Sequence, residues 1–285
     1  MAYGLSIWRL QHQTTTDVVT VRACEINGRA NMNRFANASV DRNRSGVALW
    51  LAALCLSVVS PAAGQSGAPE PKQVRILFIG NSYTSVNDLP RILGSVAAAG
   101  RQAIIVDVGS VLEGGASLRT HWNNETIKLI QSGAWDYVVL QEQSLLPIEE
   151  LDRFIAYGKR FASEIRAAKA NLVLYLTWSR RSRPADQELL NRAYLQLARE
   201  TGAIVAPVGP AWQVFRELDA NSELYAEDGS HPSPLGSFIA ASTFYRALFS
   251  ELPADSTGAE YGIEPRTPTL IRRAVEATVT RSNLR

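Results

Sequence analysis

The chain is nearly without cysteine: two in 285 residues, Cys24 and Cys55. Beyond residue 55 there can be no disulfide framework, no thiol nucleophile and no cysteine-built metal site. Histidine is almost as scarce, with only His12, His121 and His231, so chemistry that needs an imidazole has few places to sit. No excess of one charge exists either. The net charge is +2 with 20% charged residues, and no Lys/Arg block is dense enough to suggest a nucleic-acid partner. Long apolar runs are also missing. Val47–Val59 falls short of the ~20 residues that a membrane span requires. What is present is a 46% hydrophobic composition, enough to bury a sizeable core and to exclude long-range disorder.

Residues 32–64 read as an export signal. Arg34, Arg42 and Arg44 make a basic n-region, Val47–Val59 an apolar h-region, and Pro61, Ala62, Ala63 and Gly64 a small-residue cleavage region. Leu54 ahead of Cys55 argues against lipidation there. Residues 1–31 show no sustained period and read as an upstream extension or a start assigned too early. The expected product is exported, periplasmic or extracellular, with no stable membrane insertion after processing. Beyond residue 64 there is one more acidic than basic residue. Residues 65–73 form a linker, and 74–285 a single folded domain.

From Val74 onward, short apolar runs alternate with amphipathic stretches. Strands are predicted at Val74–Ile79, Ala103–Val108, Tyr137–Leu140, Leu172–Thr177 and Ala203–Val208. They are rich in Val and Ile, as strands covered on both faces should be. Helices are predicted at Leu89–Ala99, Asn124–Gln131, Glu149–Ala168, Asp186–Arg199, Ser233–Phe249 and Thr267–Thr280. Gly100, Gly133 and Gly202 are placed to end three of them in left-handed caps. The alternation predicts an α/β fold, a five-stranded parallel sheet sandwiched between helices, with ligands at the carboxyl ends of its strands.

Those ends carry the chemistry. Strand one runs into Gly80-Asn81-Ser82, a serine on a tight turn that is either a nucleophile or ordinary turn chemistry. Asp228-Gly229-Ser230-His231 stands just before the Pro234 helix. Its carboxylate can fold back onto one ring nitrogen and leave the other free to deprotonate a serine; a plain acidic, helix-capping turn is the alternative. Paired glycines, Gly114-Gly115, follow strand two, and Gln141-Glu142-Gln143-Ser144 follows strand three.

Together these blocks resemble the SGNH/GDSL hydrolase superfamily from about Val74 to Phe249. The resemblance implies a three-layer α/β/α, flavodoxin-like fold. It also implies a catalytic triad of Ser82, His231 and Asp228, and an oxyanion hole made by the Ser82 and Gly115 backbone. In the third block the usual Gly-x-Asn-Asp is replaced, and register puts Gln143 in the place of the donating asparagine. Gln141, two residues earlier, is the alternative donor. No cofactor and no metal are implied. His121 and Trp178 are weaker candidates for substrate contact: His121 is otherwise a second base or a residue packed near the site mouth with Trp122, and Trp178 otherwise a rim aromatic of the core, while Arg180, Arg181 and Arg183 form a basic loop near the same edge. The expected activity is hydrolysis of a small-molecule or glycan ester through an acyl-enzyme, with carbohydrate O-acetyl groups favoured and lysophospholipid, thioester and aryl ester substrates left open. Acyl transfer by the same triad and a non-catalytic binding module remain as alternatives.

Overall fold

The computed structural model describes residues 71–102, 104–255 and 258–282; the expected export segment lies outside them. In chain order the elements are β1 (Lys72–Gly80), α1 (Ser82–Ser85), α2 (Leu89–Ala98), β2 (Ile104–Leu112), α3 (Leu118–His121), α4 (Asn124–Ser132) and β3 (Tyr137–Leu140). Then come α5 (Leu146–Glu149), α6 (Leu151–Ala167), β4 (Asn171–Leu176), α7 (Asp186–Thr201), β5 (Ile204–Pro207), α8 (Val208–Leu218), α9 (Pro234–Phe249), a 3-10 turn (Ala259–Tyr261) and α10 (Thr267–Ser282).

All five strands pair in parallel, in the order β2-β1-β3-β4-β5. Alternate residues feed opposite faces, as strand geometry requires. Val74, Ile76 and Phe78 of β1, with Val173 and Tyr175 of β4, pack against α2, α8, α9 and α10. Leu77 and Ile79, with Leu172, Leu174 and Leu176, pack against α4, α6 and α7. The sheet is thus covered on both sides, which is why its strands read as continuous apolar runs. The two charged exceptions, Arg75 and Asp107, stand opposite each other in the β1–β2 register and form an ion pair at 3.2 Å.

Three features differ from those the sequence predicts. First, of the three expected left-handed caps only Gly202 has a positive φ, 72°. Gly133 ends α4 with φ −82°. Both Gly133 and Gly100 are required instead by close approach: a Cβ would fall 1.8 Å from the Trp135 ring nitrogen at Gly133 and 2.0 Å from the Tyr245 hydroxyl at Gly100. Second, β2 continues four residues past its predicted end, through Gly109 and Ser110, because β1 supplies a pairing partner along its whole length. Third, α8 was not expected. Gly209 and Pro210 at its start mask a helix that buries Ala211, Trp212, Val214 and Phe215.

The order reverses at β1. The chain leaves β1 for the edge strand β2 and returns to β3 on the other side. This is the point at which ligands bind in such sheets. The segments following β1, β2 and β3 meet there.

Candidate active site

Gly80 ends β1 against the Gln141 side chain. A Cβ at this position would lie 2.6 Å from Gln141 Oε1, so only glycine lets the two segments close. Asn81 then caps α1: its Oδ1 accepts from Tyr83 N at 3.1 Å, and Ser82 becomes the first residue of the turn. A strand followed at once by a capped helical turn lifts the Ser82 hydroxyl above the sheet edge.

The Ser82 Oγ lies 2.8 Å from His231 Nε2, and His231 Nδ1 lies 2.5 Å from Asp228 Oδ2. Two residues 149 positions apart therefore meet in the order that base-activated nucleophiles use. The Asp228 Oδ1 also accepts from Ser230 N and His231 N, both at 2.9 Å. These contacts, the imidazole foremost, hold the Asp228 carboxyl down at about 2. It is ionised at any ordinary pH and fixes the imidazole with its proton on Nδ1, leaving Nε2 to accept from serine. The site is open at this end, with side-chain exposure of 34% for His231 and 48% for Asp228.

The turn that carries Asp228 and His231 rests on buried aromatic rings. Tyr83, Trp178 and Trp212 stack face to face, with centroids 4.8 and 3.9 Å apart, and Tyr83 meets the His231 ring edge-on at 5.6 Å. The Trp178 ring nitrogen donates to Ser230 O at 2.9 Å, and the Tyr83 hydroxyl bonds Ser230 Oγ at 2.7 Å. Trp178 is 1% exposed, so it supports the turn that carries His231 from below instead of lining the rim.

His121 and Gln141 are corrected in the same way. His121 is 2% exposed and its Nε2 is engaged by Gly80 O at 2.7 Å. Only a protonated nitrogen can bond a carbonyl, so His121 is a donor there, and burial lowers its tendency to charge. Gln141 is fully enclosed and fully used. Its Oε1 accepts from Asn81 N and Thr84 Oγ1, and its Nε2 donates to Asn81 Oδ1 and Glu142 O. It has no hydrogen left for a substrate, which removes it as the alternative donor.

Gln143 is oriented differently. Its Oε1 accepts from Leu145 N at 2.8 Å and Leu146 N at 3.3 Å, so the amide is held by its oxygen. The two donor hydrogens of Nε2 have no partner among the described residues. Gly115 adopts φ +71°, a left-handed conformation that glycine takes without strain. The N–H groups of Gly115 and Ser82 likewise donate to nothing among the described residues. Three donors thus remain available on the three segments that follow β1, β2 and β3.

The basic loop after β4 is largely neutralised: Arg181 pairs with Glu223, and Arg183 with Glu149 and Asp186. Sequence reasoning gave Asn81 no role of its own. Its Nδ2 donates to Ala116 O at 2.9 Å and ties the Ser82 turn to the Gly115 loop. The reading also missed Tyr83, whose adjacency to Ser82 was its only signal.

No protein-family model matches the sequence, and no curated protein sequence does. Solved structures do. A Slackia heliotrinireducens protein assigned to the SGNH hydrolases is 30% identical, with a TM-score of 0.54 over 62% of this chain and 100% of its own. A DUF4886-family protein from Bacteroides uniformis is 21% identical, with a TM-score of 0.58 over 73% of this chain and 95% of its own. An acetylxylan esterase from Geobacillus stearothermophilus is 17% identical, with a TM-score of 0.51 over 64% and 96%. The latter two show the shared fold; the first, matched over its whole length, shows the family. The chain belongs to the SGNH/GDSL hydrolase superfamily and is an ester hydrolase of that kind.

Proposed function

We propose that the protein is a serine esterase acting through an acyl-enzyme, with O-acetyl groups on carbohydrates as its substrates. The Ser82–His231–Asp228 chain of hydrogen bonds is the observation that carries this reading. As Ser82 Oγ attacks the ester carbonyl, His231 Nε2 takes its proton and Asp228 stabilises the imidazolium. The tetrahedral oxyanion is met by the N–H groups of Ser82 and Gly115 and by the Gln143 amide, donors set before charge develops. The imidazolium then protonates the leaving alcohol. Water, deprotonated by His231, attacks the acyl carbon and releases the acid and free Ser82.

A small acyl group on a large alcohol suits a site open at its catalytic base, and the acetylxylan esterase of similar fold acts on such a substrate. Purified protein should release acetate from acetylated sugars, and its rate on p-nitrophenyl esters should fall as the acyl chain lengthens. Failure to cleave any member of that panel would overturn the reading. If an added glycan acceptor became acetylated while free acetate release fell, the triad would be serving transfer instead.

Export belongs to the same proposal. No described helix is long and apolar enough to cross a membrane. Expressed from Met32 in an exporting bacterium, the protein should begin near Ala63 or Gln65. N-terminal sequencing checks this, and a chain retaining residues 47–59 in the membrane fraction would refute it.

A further inference from the structure

Glu142 has no part in the mechanism above, yet its carboxyl is buried at the end of β3, 3% exposed. Burying a carboxylate is costly unless strong partners replace water. No cation among the described residues forms an ion pair with it; Arg153, whose charge reaches it, is paired with Glu150. Its partners are backbone amides. One oxygen, Oε1, accepts from Leu118 N at 3.0 Å and from Gln143 N at 2.7 Å. These amides belong to different segments: Leu118 opens α3, three residues after Gly115, and Gln143 is the proposed side-chain donor.

The other two sides of the oxyanion hole are tied by other residues. Asn81 Nδ2 on Ala116 O links the Ser82 turn to the Gly115 loop, and the reciprocal Asn81–Gln141 amide pair links the Ser82 turn to the third segment. Among the described residues no other side chain comparably joins the Gly115 segment to Gln143. We propose that Glu142 is a positioning residue: by drawing the Leu118 and Gln143 amides onto one oxygen, it sets the separation of the Gly115 and Gln143 donors. This rests on the esterase reading above.

Ionisation matters to such a clamp, because a charged acceptor holds N–H groups more strongly than a neutral one. Burial pushes the Glu142 carboxyl up to about 7, against the pull of its two amide bonds. Arg153 and Glu150 act on it from α6 and its start, and the Tyr194 phenol faces it from α7. The clamp therefore tightens as pH rises through neutrality.

The test compares wild type, Glu142→Ala, Glu142→Gln and Ser82→Ala in the full chain, with p-nitrophenyl acetate as the probe. Glu142→Ala should lower kcat by ~10²-fold with KM within ~3-fold, since a displaced donor affects the transition state and not ground-state binding. Glu142→Gln keeps an acceptor oxygen and should recover most of kcat at pH 7, while its kcat–pH profile loses the component near 7 that Glu142 contributes. A folded Glu142→Ala protein with kcat within ~3-fold of wild type, or one impaired in KM alone, would overturn the proposal. So would a Glu142→Gln protein as inactive as Glu142→Ala. Should Glu142→Ala fail to fold, the Glu142→Gln profile decides: loss of that component supports the clamp and an unchanged profile refutes it. A wild-type chain that cleaves no ester, or a Ser82→Ala chain that cleaves as fast, would instead sink the esterase reading.

Discussion

Replacing each glutamine of the third segment by alanine should produce opposite failures. Gln141→Ala strands the Asn81 N–H and the Thr84 hydroxyl in a fully buried site and removes two donated bonds, to Asn81 Oδ1 and Glu142 O. A buried group left unpaired costs about 1–3 kcal/mol, so two stranded donors put the loss near ~3 kcal/mol even if water enters. For a domain of this size that corresponds to a Tm lower by roughly 10 °C. Gln143→Ala removes only the caps on the Leu145 and Leu146 amides, in a half-exposed place where water can substitute, for a loss of about 1 kcal/mol. Its kcat should nevertheless fall ~10²-fold, the usual effect of losing one oxyanion donor, with KM nearly unchanged. Gln143→Glu refines the test, because it keeps an oxygen for the two amides but puts a second acceptor where the donor stood. It should be at least as slow as the alanine variant. Thermal unfolding by circular dichroism and initial rates on p-nitrophenyl acetate read both quantities. If Gln143→Ala kept its rate while Gln141→Ala lost rate without losing Tm, the assignment of the two amides would be reversed and the reasoning refuted.

Trp178→Ala should destabilise by ~3–5 kcal/mol and also slow catalysis, since the Ser230 carbonyl loses its donor beneath the base. Trp178→Phe should restore most of the stability and only part of the rate, as judged by denaturant unfolding and kcat. The Glu142 carboxyl, raised from 4.5 to about 7, binds its proton more tightly in the folded state than in the unfolded chain. Its protonation therefore stabilises the fold fully below the ordinary carboxyl range, and that stability fades as pH rises through about 7. Wild type should lose up to about 3 kcal/mol relative to Glu142→Gln between pH 4 and pH 8, measured by unfolding at each pH. Asp228, lowered to about 2, works in the opposite sense: its contribution is present above the ordinary carboxyl range and is lost as pH falls through about 2. The acid limb of the kcat profile should consequently owe nothing to Asp228 above the ordinary carboxyl range.

The parts of the fold that could be read from residues were those set by local pattern. β3 falls where its apolar run predicts, and Ser233 caps α9 with Pro234 in its first turn as their residue types demand. The three residues of the Ser82–His231–Asp228 hydrogen-bond chain could be picked out because each sits at an element boundary whose chemistry is local: a serine after a strand, a carboxylate three residues before a histidine. What could not be read was which way a residue at a strand end faces. Trp178 and Gln141 both follow buried strands, where a side chain can turn outward to substrate or inward. The deciding contacts come from Tyr83, Trp212 and Asn81, all distant in sequence. His121 was hidden for the same reason, since its partner is a carbonyl 41 residues away. The glycines misled because glycine serves two needs. At Gly100 and Gly133 the need is room for a ring or hydroxyl, not a left-handed turn, and only the neighbour reveals it.

The central claim is that Ser82 is a nucleophile activated by His231, and a double-mutant comparison of kcat for acetyl ester hydrolysis tests it most directly. Ser82→Ala and His231→Ala should each lower kcat by ~10⁴-fold or more, and the double variant should be little worse than either, because residues acting as one unit are not additive. Ester hydrolysis by Ser82→Ala at near wild-type rate, or fully additive losses in the double variant, would contradict the account.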